Sequence, residues 1–239
     1  MSQFLIDQSF WDLFPEAEIG VVLAKGVDNT EEGRQCVRPD IMSWLEHGHH
    51  EAKKFLTEEV LSENHVIAVW REAYRQFKTK KGARSSIEAL LKRVQNGKGV
   101  GSINPLVDIY NAVSLQFGLP CGGEDMDAFQ GNLRLTMTQG NDPFLALGDE
   151  VNDPTLPGEI CYLDDAGAVC RCLNWRDGQR TMLTESTKNA FLVIESIDPK
   201  RNSDLKKALD TLAESIQKYL GGTTCIVIMN KENLQINLN

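Results

Sequence analysis

The chain has 239 residues, 41% hydrophobic and 25% charged, with a formal net charge of −9 at pH 7. That excess of acid repels phosphate, which excludes a general DNA or nucleic-acid binder whose affinity rests on cations. No apolar run approaches the roughly 20 residues of a membrane span, and the N-terminus lacks the basic start and apolar core of a signal peptide, so the expected setting is cytoplasmic.

Residues 4–6 read as a short strand, and Ser9 as the cap of a helical turn carrying Phe10, Trp11, Leu13 and Phe14 that Pro15 ends. Residues 19–26 are a continuous apolar run of strand length, a buried central strand. A polar run leads into residues 40–62, helical in pattern but interrupted by Gly48. The next helix starts at Ser62 or Asn64, with Val66, Val69, Trp70, Ala73 and Phe77 as its apolar stripe. Residues 78–83 form a basic loop. Ser85 and Glu88 make a capping box, and the helix they open stops near Gly97.

The segment from Arg71 to Lys98 carries seven net positive charges, leaving −16 for the rest of the chain. Such asymmetry suits a local phosphate-facing patch, with Arg71, Lys78, Lys80, Lys81 and Arg84 as candidates for an RNA backbone. A solvated helix pair with a lysine-rich loop has the same composition.

Asn104-Pro105 starts a further helix, an N-cap followed by proline at the first position. Leu106, Tyr110, Val113 and Phe117 are its core stripe. Asn104, Asp108 and Asn111 repeat along another face, where they either tie the helix to a loop or line a pocket. Gly122 and Gly123 follow, ahead of Asp125. Paired glycines serve an amide-lined anion or ester site, and equally a plain bend. Strands are expected over 133–138 and 144–147, then a hairpin of 159–163 and 168–173 whose turn takes its positive φ at Gly167. The loop after it, Asn174-Trp175-Arg176-Asp177-Gly178, places side chains at a pocket rim; alternatively Trp175 covers the hairpin end and Arg176 pairs with Asp177. A strand at 190–197, a helix capped by Ser203 and ended by Gly221-Gly222, a buried strand at 223–230 and a short one at 234–238 complete the chain. The class is α+β, with a mixed sheet system, packed helices mainly in the N-terminal half, and one domain over 1–239.

The six cysteines read as reduced thiols, and no histidine lies near Cys170 and Cys172, so no metal or cofactor is expected. The chain also has no P-loop and no Gly-x-Ser-x-Gly.

Four stretches carry a family resemblance: residues 157–189, the run from Ser102 to Asn111, the Trp70-Arg71-x-Ala73-Tyr74 run, and residues 85–90. Together they resemble a B3/B4 domain, the editing module of the bacterial phenylalanyl-tRNA synthetase β chain, and more closely the free-standing B3/4 proteins. The likeness spans about 19–197. It implies a pocket lined by the Asn-Pro helix, the loop after Leu-Pro and the loop at 174–181. Here that means Asn104, Asp108, Asn111, Gly122, Asp125, Asn174, Trp175 and Arg176. It also implies tRNA as partner and hydrolysis of a mischarged aminoacyl ester, already activated and needing little more than a positioned water. Two departures stand out. Where the synthetase module reads Pro-Leu-His-Ala-Phe-Asp, this chain has Pro120-Cys121-Gly122-Gly123-Glu124-Asp125, with glycine in place of histidine. Where it reads Gly-Gly-Glu-Glu, this chain has Gly178-Gln179-Arg180 without those glutamates. Tyrosine specificity is therefore not inherited, and a trans-acting deacylase stands beside a non-catalytic tRNA- or amino-acid-binding module.

Overall fold

The computed structural model describes residues 2–30, 32, 35 and 37–238; Cys36 lies outside them. Among the described residues the chain runs β1 (Gln3–Ile6), α1 (Gln8–Leu13), β2 (Glu18–Lys25), α2 (Arg38–Ala52), α3 (His65–Ala73), α4 (Ser86–Gln95) and α5 (Pro105–Phe117). It continues through β3 (Cys121–Asp125), β4 (Leu133–Met137), β5 (Ile160–Asp164), β6 (Gly167–Arg171), β7 (Arg176–Asp177) and β8 (Asn189–Ser196). It closes with α6 (Asn202–Leu220), β9 (Thr223–Met229) and β10 (Gln235–Asn237). The class is α+β, as expected, and the sheet system divides in two. One sheet has the order β10-β1-β4-β5-β6-β7 and is antiparallel except for the β1–β4 pair; the other, β3-β8-β2-β9, is antiparallel throughout.

Strands β2 and β8 are apolar on both faces because both faces are covered. Side chains alternate across a strand, and the alternation sorts them into two cores. Val21, Leu23, Phe191 and Val193 face the six-stranded sheet, where they meet Phe4, Leu133, Tyr162 and Val169. Val22, Ala24, Leu192 and Ile194 face α5 and α6, where they meet Ile109, Val113, Leu209 and Leu212. The first of these spaces does not fill completely, and the cleft described below opens in it.

Several local expectations change once packing is visible. Gly48 does not interrupt α2; it lets α5 approach, since a Cβ there would lie 3.2 Å from the Ala112 carbonyl oxygen. Ser9 is not a cap but accepts a hydrogen bond from the Met137 amide at 3.1 Å. Ser203 caps nothing, because a 3-10 turn at Pro199–Arg201, capped by Asp198, already leads into α6. Ser85 does accept from the Glu88 amide, but Glu88 turns to Arg71 instead of closing the box. Residues 144–147 form only a single bridge, Ala146 to Gly178. Strand β9 lies at a sheet edge and is largely exposed, not buried. The hairpin forms, with Leu163 opposite Ala168 and Asp164 opposite Gly167. Gly167 has φ 135°, and a Cβ there would strike the Pro143 carbonyl oxygen at 2.4 Å.

Candidate functional site

The cleft lies between the two sheets. Gly122 and Glu124 face it from β3, Phe191, Val193 and Glu195 from β8, Leu133, Tyr162, Val169, Cys170 and, on β7, Asp177 from the other sheet, and Asn174 and Trp175 from the loop after β6. Its inner volume is about 80 Å³, several times what one buried water requires. The strand register explains this membership. Gly122 pairs with Val193 and Glu124 with Phe191, so Gly122, Glu124, Phe191, Val193 and Glu195 share one sheet face at period two.

The paired glycines are strand, not bend, and neither has a positive φ. Each is glycine for a different reason. A Cβ on Gly123 would come within 2.8 Å of Leu183 Cδ1 and 2.9 Å of Leu192 Cδ2, in the packed layer toward α5. A Cβ on Gly122 would meet only Val193 Cγ1, at 3.7 Å. The missing side chain at 122 therefore leaves room in the cleft.

Three carboxyls line this space, Glu124, Asp177 and Glu195, with no lysine, arginine or histidine among the described lining residues. Glu195 is 1% exposed. Its Oε1 accepts from the Tyr162 hydroxyl at 2.6 Å, and its other oxygen accepts from Asn174 Nδ2. Burial pushes its pKa up to about 7 against those two donors. Glu124 is 5% exposed, and its Oε2 has no hydrogen-bond partner among the described residues, although the Thr181 hydroxyl lies near enough to favour its charged form. Burial, and then the nearby Asp177, push its pKa well above the carboxylate range. Asp177 is half-buried and raised by the same desolvation. Removing a carboxylate from water disfavours its charged form, and like charges add to the effect.

Asn174 is the pivot of the site. While Nδ2 serves Glu195, its Oδ1 accepts from the Ser86 amide at 2.9 Å, at the first turn of α4. The backbone is bent to put it there: Cys172 and Leu173 both have positive φ, 48° and 59°. Non-glycine residues adopt that region at a cost and cluster at functional sites. The Tyr74 hydroxyl and the Leu173 amide hold the bend, bonding the Cys172 and Ile160 carbonyls at 2.6 Å and 2.8 Å.

The sequence-derived site residues separate into two groups. Gly122, Gly123, Asn174 and Trp175 line the cleft. The others lie elsewhere. Asn104 is occupied as the cap of α5, accepting from the Val107 amide and from Asn29 and donating to the Leu183 carbonyl. Asp108 accepts from Ser102 and from the Ile103 amide, tying the helix to the preceding loop. Asn111 is buried on α5 away from the lining. Asp125 caps a 3-10 turn and accepts from the Thr187 hydroxyl at 2.7 Å. Arg176 points out to Asp149, at 3.2 Å, and not to Asp177. Sequence reading passed over Glu124, Asp177 and Glu195. The available signal was a carboxylate in step with Phe191 and Val193 on an otherwise apolar strand.

Beside the cleft lies a larger outer groove of about 380 Å³, lined by Trp70, Arg71, Tyr74, Arg75, the residues from Gly82 to Ser85, and Glu88. Arg84 also borders a second groove with Lys92, Arg93 and Lys98. Of the expected cations, Arg71 is paired with Glu88 and Lys80 with Asp153. Lys78, Lys81 and Arg84 are exposed.

The model of the B3/4 domain family matches residues 69–221, well over half of the chain. The chain belongs to the B3/4 domain family. Among curated proteins, this B3/4 chain is similar to the phenylalanine–tRNA ligase beta subunit of Fusobacterium nucleatum, 27% identical over 144 residues that cover 60% of the chain and 17% of the relative. The corresponding subunit of Bartonella henselae is 27% identical over 127 residues, covering 53% of the chain and 16% of the relative. The B3/4 chain thus matches about one-sixth of the length of these relatives. Among solved structures it is similar to an N-terminal fragment of the phenylalanyl-tRNA synthetase beta-subunit from Pyrococcus horikoshii, with TM-score 0.49 and 11% identity over 95% of this chain and 54% of that one.

Proposed function

We propose that this B3/4 protein is a trans-acting deacylase of mischarged aminoacyl-tRNA in the cytoplasm, with the aminoacyl group in the cleft and the tRNA end in the outer groove. The observation that carries this reading is the make-up of the cleft: three carboxyls and no cation among its described lining residues. A free amino acid brings a carboxylate that finds no cation to pair with among the described lining residues. An aminoacyl ester brings only its ammonium, which supplies a donor for Glu124 Oε2, unpartnered among the described residues. The product is held poorly for the same reason, since hydrolysis creates a carboxylate in a cleft whose described lining offers it no cation.

In the reaction a water adds its oxygen to the ester carbonyl and gives a proton to the Glu195 carboxylate. The bond from the carbonyl carbon to the ribose oxygen then breaks. The leaving oxygen takes the proton from Glu195, and the amino acid departs as carboxylate with release of its own proton. A base that titrates near 7 is matched to this work at neutral pH. Tyr162 and Asn174 fix its orientation.

A binding module remains the second reading, favoured by Gly122 standing where the synthetase module has histidine. Deacylation of a panel of mischarged tRNAs separates the two. The expected result is release of free amino acid from at least one member, with no competition from free amino acids. No turnover on any member, together with tight binding of a free amino acid, would establish the module instead. On the tRNA side, Arg84→Glu should weaken binding and reduce the log–log salt slope by about 1. Lys80→Glu acts on an ion pair with Asp153, so it should change stability more than the slope. An unchanged slope for Arg84→Glu removes the groove from the footprint.

A further inference from the structure

The outer groove and the inner cleft meet at one short piece of backbone. Ser85 lines the groove and Ser86 lines the cleft. These two residues are the N-cap and first residue of α4, a ten-residue helix. A helix start carries unpaired amides and a partial positive charge. Here two of those amides are occupied: Ser86 N–H donates to Asn174 Oδ1 and Glu88 N–H to Ser85 Oγ. The Ser86 hydroxyl is different. Its oxygen is sealed from solvent and has no partner among the described residues, although it borders an open cleft. A second orphan faces the same space, Glu124 Oε2 on a side chain 5% exposed. Two unsatisfied polar atoms on residues lining one cleft, the Ser86 hydroxyl at the start of α4 and a Glu124 carboxyl oxygen on β3, mark a space shaped for a polar ligand.

Resting on the deacylase reading, we infer that the Ser86 hydroxyl is a catalytic group: it donates to the carbonyl oxygen of the scissile ester and holds the negative charge that develops there as water adds. The ester lies at the mouth, with the ribose toward Arg84 and the amino acid toward Glu124. Charge appearing on the carbonyl oxygen then faces the positive end of α4, and a donor already in place loses no reorganisation when the charge forms. Asn174 serves both halves of the reaction by fixing the first turn of α4 with one end of its amide and the base Glu195 with the other.

The test compares wild type, Ser86→Ala and Ser86→Thr on whichever mischarged tRNA the panel identifies. Two non-hydrolysable aminoacyl-adenosine analogues are used alongside, one with a planar amide link and one with a tetrahedral anionic phosphonate link. Ser86→Ala should lower kcat by about 10²-fold with KM nearly unchanged. It should weaken the phosphonate by a similar factor and leave the amide alone, and Ser86→Thr should restore most of both. Turnover and phosphonate affinity equal to wild type in Ser86→Ala overturn the assignment and leave the deacylase reading standing. Equal loss of amide and phosphonate affinity also overturns it, because that pattern reports damaged binding. No turnover by the wild-type protein on any tRNA overturns the deacylase reading and this assignment together.

Discussion

Glu195→Gln should abolish deacylation and at the same time stabilise the protein above neutral pH. The side chain is 1% exposed, and burial raises its pKa to about 7 from an ordinary 4.5. Between those values the folded protein holds a proton that the unfolded chain has released. Unfolding therefore loses a proton, and stability falls as pH rises through this window. The protonated group's contribution is fully present below about pH 4.5 and is gone above about pH 8, a loss on the order of 3 kcal/mol. Glutamine keeps the shape and an acceptor for Tyr162 or Asn174 without the charge. Urea unfolding at pH 5.5 and 8.0 should show the wild type weakening with pH and the variant changing much less, so that the variant is the more stable at pH 8.0. Activity should follow the opposite course, rising in the wild type as Glu195 ionises near pH 7 and falling by about 10² to 10⁴-fold in the variant. Parallel stability profiles for the two proteins would show that Glu195 titrates normally, and the base assignment would fail with it.

The second large effect is expected at Arg171, which is 1% exposed among the inner residues of β6. Its Nε and Nη2 donate to the two Glu159 oxygens at 2.9 Å and 2.6 Å, and its Nη1 to the Asp153 carbonyl and carboxylate at 2.8 Å and 3.1 Å. Phe144 stacks on the guanidinium with 5.5 Å to the ring centroid. Arginine cannot shed its charge to escape burial. Glu159→Ala leaves that charge half-compensated, and a loss of about 3–5 kcal/mol is expected by denaturant unfolding. Replacing both partners, Arg171→Met with Glu159→Leu, should recover most of the loss, because the desolvation cost disappears with the pair. If the single and double variants are equally unstable, the effect comes from packing and not from an unpaired charge. The network also extends outward through Asp153 to Lys80. This ties the basic loop to the sheet, so Glu159→Ala should loosen the rim of the outer groove as well.

The residues that were legible from sequence are those whose role is set by near neighbours. Asn104-Pro105 starts α5, Ser85 caps α4 and Gly167 closes the hairpin, each through contacts within a few positions. The residues that were misread are those whose direction, toward the cleft or away from it, is set by how the elements pack. Asp108 and Asn111 look like pocket residues because they are polar on an apolar helix, yet α5 turns them away from the cleft. Arg176 looks like a pocket cation, yet its alternation along β7 sends it to Asp149 and gives the cleft to Asp177.

The sequence alone determined the α+β class, the order of most elements, the family, and the stretches from which a cleft would be built. Those properties follow from period, caps, turns and motif order, all of which are local. Only the tertiary structure decided which carboxyls lose their water and which glycine leaves space instead of a bend. It also decided that the Asn174 amide joins the start of α4 to Glu195 on β8. Desolvation and strand register depend on what the fold places opposite each residue, and Glu195 and Ser86, 109 positions apart in the chain, meet through Asn174 only once the two sheets have closed on each other.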